Sequence, residues 1–145
     1  MGIEENKEVV LHYWELLNQR KPEAANDLFS SDFNMGGYSR EDNKQNDINV
    51  LNAFPDVKWT ISDMIAEGDT VAFVDSVAGT HTGGPFMGIP ATGKKIDIKN
   101  THIFRIIDKK IIEIMGTVDL YHCLQQLGVM PAIPEAVKAY NDSLE

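Results

Sequence analysis

The sequence predicts an α+β fold: a cone-shaped, curved antiparallel sheet covered by N-terminal helices and enclosing a pocket. Three observations carry this. Apolar residues recur at helical spacing up to Phe54, the period changes to two from Val57 onward, and no helical crossover separates the strands that follow. Consecutive strands joined by short turns pair antiparallel, and a curved sheet under helices leaves a concave space of the kind that holds small molecules. At 145 residues the chain is read as one domain over 1–145.

Each element has its own signal. From Glu5 to Gln19, Val10, Trp14 and Leu17, reinforced by Val9, Tyr13 and Leu16, form a wide apolar stripe, with His12 on the solvated face. Pro22 suits the first turn of a short second helix through Phe29. Ser30 to Tyr38 has two glycines and no period, which predicts a loop or a short irregular strand. Ser39 with Asp42 makes a capping-box pattern for a third helix ending at Pro55, its weak apolar side being Ile48, Leu51 and Phe54. Val57, Trp59, Ile61 and Asp63 then alternate as one face of a strand.

Glu67-Gly68-Asp69 supplies a turn into a strand from Thr70 to His81. The stretch from Thr82 to Gly93 is a glycine- and proline-rich connection, followed by a long strand from Lys95 to Ile107. Asp108-Lys109-Lys110 reads as a tight turn and Ile111 to Val118 as the last strand. Asp119 opens a helix with Leu120, Leu124 and Leu127, ended by Gly128, and a final helix starts near Glu135.

Composition narrows the partners. A formal net charge of −9 argues against nucleic acid and anionic membrane, both of which need a cationic face. The single cysteine, Cys123, excludes an internal disulfide, and His12, His81, His102 and His122 show no zinc spacing. The N-terminus is acidic where a secretory signal is basic and then apolar, and no apolar run reaches the about 18 residues that span a bilayer, so a cytoplasmic protein is expected. No glycine motif opens a helix to cradle phosphate.

Ala53-Phe-Pro-Asp-Val-Lys-Trp59, Ile65-Ala-Glu-Gly-Asp-Thr-Val-Ala72, Gly79-Thr-His-Thr-Gly83 and Met87-Gly-Ile-Pro-Ala-Thr-Gly-Lys94 recur in one order with His102-Ile-Phe-Arg-Ile106, Lys110-Ile-Ile-Glu113, Val118-Asp-Leu120 and Leu124-Gln-Gln-Leu-Gly128. Over residues 50–128 this resembles the SnoaL-like polyketide cyclase family. The resemblance implies the cone fold of nuclear transport factor 2, a homodimer or higher homo-oligomer, and a small hydrophobic or polyketide-like ligand. It also implies acid/base ring closure without metal or organic cofactor. Relatives often read Glu-His-Trp where this chain has Glu113-Ile114-Met115, and carry a histidine where Phe33-Asn-Met-Gly-Gly-Tyr38 has none.

The resemblance makes Asp119 the acid/base carboxylate, at the pocket mouth. The residue type alone equally fits a helix N-cap, whose backbone hydrogen bonds would weaken it as a base. His102 and Asn100 share the alternate set Ile96, Ile98, Asn100, His102 and Phe104, two polar residues on an otherwise apolar face. His102 could donate a hydrogen bond to a substrate oxygen, or be a buried histidine satisfied by a neighbour. Asp75 shares parity with Val71, Phe73 and Val77, so it points inward toward a partner such as His102 or a water, or stays exposed at a sheet edge. Trp59, Phe73, Phe86, Met87, Phe104 and Met115 would wall the cavity, and His81 would edge it or form a turn. Two readings follow: a cofactor-free acid/base enzyme on a carbonyl- or ester-bearing molecule, and a non-catalytic binder of small hydrophobic ligands.

Overall fold

A computed structural model describes residues 2–145. The chain runs α1 (Ile3–Asn18), α2 (Pro22–Asn26), β1 (Asn34–Met35), β2 (Tyr38–Ser39), α3 (Arg40–Ala53), β3 (Lys58–Glu67), β4 (Thr70–Thr80), β5 (Lys95–Ile107), β6 (Lys110–Thr117), α4 (Leu120–Gln126) and α5 (Ile133–Ser143). The four long strands form one antiparallel sheet in the order β3-β4-β5-β6. The helices-then-strands order is the α+β arrangement that the change of period predicts.

The apolar stripe of α1 lies across the inner face of β3 and β4, burying Val9, Val10, Tyr13, Trp14, Leu16 and Leu17. Its aromatic residues meet those of the sheet edge to face: Tyr13 with Phe104 at 6.0 Å and Trp14 with Phe73 at 6.2 Å between ring centroids. Such pairs add about 0.5–1.5 kcal/mol each beyond the area they bury. This cluster ties α1 to the sheet.

Helix α2 stops at Asn26, three residues before the expected end, because the chain is drawn onto the edge of β6. Ile111 donates its N–H to Leu28 O and Ser30 donates to Ile111 O, so the edge strand is covered rather than left open. The segment expected as loop holds the small β1–β2 hairpin. Ser39 and Asp42 form the capping box of α3, each side chain accepting from the other's backbone N–H.

Two strand details reposition side chains. A bulge between Ile61 and Asp63 in β3 adds one residue against β4. Beyond it Met64 and Ala66 face inward, while Asp63, expected on the inner set with Trp59 and Ile61, is exposed. At the β5–β6 turn Asp108 and Lys109 both take positive φ, 49° and 62°, the twist of a two-residue type I′ hairpin made without glycine. On α4 Cys123 is buried and Leu120 and Leu124 are half-buried; the C-cap Leu127 is buried too, and Gly128 follows at φ 80° as the left-handed residue that ends the helix.

Candidate functional site

The inner face of the sheet carries the polar floor of a cavity. Register places Asp75 opposite Asn100 and Phe73 opposite His102, so Asp75 and His102 are diagonal neighbours on one face. His102 Nδ1 stands 2.6 Å from Asp75 Oδ1 in an ion-pair contact, and neither buried atom has a hydrogen bond to any described residue. An unpartnered polar atom at that depth is destabilising, so the contact orients the ring. Asn100 Nδ2 donates to Asp75 Oδ2 at 3.4 Å, while Asn100 Oδ1 accepts from the Asp119 backbone N–H at 3.1 Å.

The imidazole is held as a plate. Phe73 stacks on it at 5.3 Å and 23°, and Trp14 lies 5.7 Å away. On β6, Gly116 pairs with His102, and a Cβ there would come within 2.5 Å of the ring's Cδ2 and 3.0 Å of Nε2. The absent side chain is the space the ring occupies. With Nδ1 turned to Asp75, Nε2 is the atom left to exchange a proton.

Opposite this floor, helices supply a second polar group. Tyr13 Oη donates to Asp47 Oδ2 at 2.7 Å, and Asn43 Nδ2 stands 3.4 Å from the same oxygen. Tyr38 Oη reaches Asn43 Oδ1 at 3.3 Å. Burial pushes the Asp47 carboxyl up to about 7 although the Tyr13 bond pulls it down, because no cation compensates for the lost water. Burial and the neighbouring Asp47 carboxylate hold the Tyr13 hydroxyl well above its usual value.

Two adjoining cavities lie between floor and helices. The inner one, about 150 Å³, is lined by Asp75, Asn100, Trp59, Phe86, Val77 and Leu120 among others; the outer one, about 370 Å³, by Tyr13, Tyr38, Met35, Phe104, Met115 and Gly116. Trp14, Asn46, Asp47, His102 and Val118 line both. No lysine or arginine lines either.

Of the residues singled out from sequence, His102, Asp75, Asn100, Trp59, Phe86, Phe104 and Met115 reach these cavities. Phe73 does not; it is buried behind the floor, stacked on His102. Met87 does not either, being 63% exposed on the β4–β5 connection. His81 is fully buried and pins that connection, its Nε2 3.1 Å from Gly84 O and its Nδ1 3.3 Å from Thr92 Oγ1.

Asp119 departs most from expectation. It is the N-cap of α4: its carboxylate accepts from the His122 N–H at 3.3 Å and lies 3.5 Å from His122 Nδ1. The side chain is half-exposed, and although Val118 and Leu120 line the cavities, Asp119 itself does not. Helix capping turns the carboxylate out, and only its backbone N–H joins the polar floor.

Asp47, Tyr13 and Asn43 were not singled out as functional. The third helix buries Asn43, Asp47 and Ala53; of its expected apolar side Phe54 is buried and Leu51 packs half-buried on the core, while Ile48 stays half-buried outside it. The signal was the run Asn43, Asp47, Val50 and Phe54 at helical spacing, two polar residues continuing an apolar stripe.

A curved antiparallel sheet, roofed by helices over a cavity with an imidazole–carboxylate floor, defines a cone-type pocketed α+β fold. The profile of the SnoaL-like polyketide cyclase family matches residues 7–127, and the chain belongs to that family. Solved structures agree in fold. AclR, a proposed hydroxylase from Streptomyces galilaeus, superposes with a TM-score of 0.80 at 26% identity, covering 90% of this chain and 100% of AclR. A proposed SnoaL-like polyketide cyclase from Jannaschia sp. CCS1 gives 0.78 at 20% identity, covering 90% and 97%. IdmH, a proposed polyketide cyclase from Streptomyces antibioticus, gives 0.72 at 25%, covering 86% and 99%. No curated protein matches the chain.

Proposed function

We propose that this protein is a cofactor-free acid/base enzyme of the cyclase or isomerase type, acting on a small carbonyl-bearing molecule. The observation that carries the reading is the buried Asp75–His102 pair, 2.6 Å apart, on the floor of an aromatic-walled cavity. His102 Nε2 removes the proton next to the carbonyl, and Asp75 holds the ring and stabilises the imidazolium that forms. The resulting enol either regains a proton at another carbon or attacks a second carbonyl to close a ring. Asp119 acts as a positioning residue, its backbone N–H holding Asn100 against Asp75.

Loss of deuterium from the trideuteromethyl group of 2-acetonaphthone, followed by NMR, tests the base. Wild-type protein should accelerate exchange over buffer, His102→Ala should lose that acceleration, and Asp119→Asn should keep it. Equal rates for wild type and His102→Ala overturn the assignment. Ketone binding without exchange would favour a non-catalytic binder of the same fold.

The outer sheet face supports a homodimer. Register aligns Ile65, Ala72 and Ile103 into one apolar row across β3, β4 and β5, with Ile65 73% exposed. Ile65→Lys should shift sedimentation to the monomer. Among the described residues no helix is long and apolar enough to cross a membrane, and the net charge of −9 supports a protein without nucleic-acid partners.

A further inference from the structure

We propose that Asp47, on the helix wall, is the proton donor that faces the His102 base across the cavity, and that the substrate is an uncharged, enolisable ketone or ester. This rests on the acid/base reading above and adds its missing half. A base that strips a proton beside a carbonyl leaves charge on the oxygen, and a donor on the opposite wall removes that charge as it forms.

The placement supports it from several sides. Asp47 and His102 line both cavities, so a molecule filling either one lies between the two walls. Tyr13 and Asn43 both address Asp47 Oδ2, which leaves Oδ1 for a ligand. The titratable groups around Asp47 and its cavity are Tyr13 from α1, Tyr38 from β2, Asp75 from β4, His102 from β5 and Cys123 from α4. With the Asp75 carboxylate on the floor and no lysine or arginine in the walls, a carboxylate or phosphate ligand would meet no counter-charge from a basic side chain. Burial keeps a proton on the Asp47 carboxyl near neutral pH.

The step balances without any further reagent. The C–H bond next to the carbonyl breaks and its proton goes to His102 Nε2, while its electron pair becomes the C=C bond of the enol. The carbonyl π pair moves to oxygen, which takes the proton from Asp47. This leaves a neutral enol, an imidazolium beside Asp75, and an Asp47 carboxylate held by Tyr13 and Asn43. Return of the two protons, at the same carbon or another, restores both groups.

The experiment uses the full chain labelled with ¹³C at the aspartate carboxyls, the Asp47 resonance being the one lost in Asp47→Asn. Adding 2-acetonaphthone should shift that resonance, and the ketone should quench Trp14 and Trp59 fluorescence at concentrations where the isosteric 2-naphthoate does not. In the deuterium-exchange assay Asp47→Asn should bind the ketone within a few-fold of wild type yet exchange about 100-fold more slowly. Wild-type exchange should also fall as pH rises through Asp47 ionisation, a limb that Asp47→Asn lacks. An Asp47 resonance unmoved by the ketone, or wild-type exchange rates in Asp47→Asn, overturns the proposal. If wild type shows no exchange at all, the acid/base reading itself fails, and tighter binding of 2-naphthoate than of the ketone overturns the uncharged-substrate claim independently.

Discussion

Two buried carboxylates face one cavity from opposite walls, and their partners make them different tools. Asp75, on the sheet, meets an imidazole, a group that can take up a proton and a positive charge beside it. Asp47, on a helix, meets a phenol and an amide, which donate hydrogen bonds but bring no charge. Burial therefore dominates at Asp47 and raises its carboxyl to about 7, into the range where it can hold or release a proton. The same residue type serves as ring-holder on one side and proton store on the other because of what stands next to it.

The comparison breaks first at Asp75. Asp75→Asn removes the charge behind the imidazolium, and ketone deuterium exchange should drop by about 10²–10⁴-fold. A smaller loss than for Asp47→Asn would reverse the ranking of the two walls.

Stability sharpens the contrast. The folded Asp47 carboxyl titrates near 7 and the unfolded one near 3.8. Between these values the unfolded chain loses the proton first, so stability is fully present below the lower value and is lost as pH rises through the higher one. The loss is roughly 1.4 kcal/mol per pH unit across that window, a few kcal/mol in all. Asp47→Asn, which keeps an oxygen acceptor for Tyr13, should therefore be more stable than wild type by urea unfolding at pH 8. At pH 4 the difference should nearly vanish. No gain at pH 8 would mean the carboxylate is well solvated.

Gly116→Ala tests the imidazole's seat. The new methyl would stand 2.5 Å from His102 Cδ2, and overpacking of this kind typically costs about 1–3 kcal/mol. Exchange activity should fall together with the melting temperature.

Asp119 carries the smallest effect. Asp119→Ala removes a helix cap and should cost about 1 kcal/mol of stability, whereas Asp119→Asn, itself a good cap, should change little. A loss of exchange in Asp119→Asn on the scale of the Asp75 variant would return the base to Asp119.

The sheet floor was legible because a strand with one buried face writes its facing into alternation. Asn100 and His102 fall on the apolar parity of β5, Asp75 on that of β4, and all three line the cavity. The helix wall was not legible in the same way. Helix α3, Arg40 to Ala53, is polar nearly all round, so hydrophobic period had little to lock onto and pointed to Ile48 and Leu51 rather than to Asp47. Tyr13 read only as part of an apolar stripe, since a phenol's body and its hydroxyl send different signals. At Asp119 two roles demand the same residue at the same place, and only coordinates show which way the carboxylate turns.

The one-residue bulge in β3 has a consequence for how this chain tolerates insertions and deletions. Residue 62 acts as a spacer between two facing patterns: before it Trp59 and Ile61 look inward, after it Met64 and Ala66 do. Deleting Ser62 would remove the bulge yet leave everything downstream on its present face, Met64 and Ala66 inward and Asp63 and Ile65 outward. The apolar row on the outer face would keep its first member, Ile65, in the same event. The bulge thus gives β3 one place where chain length can change without altering either the interior or the surface most open to a second copy of the chain.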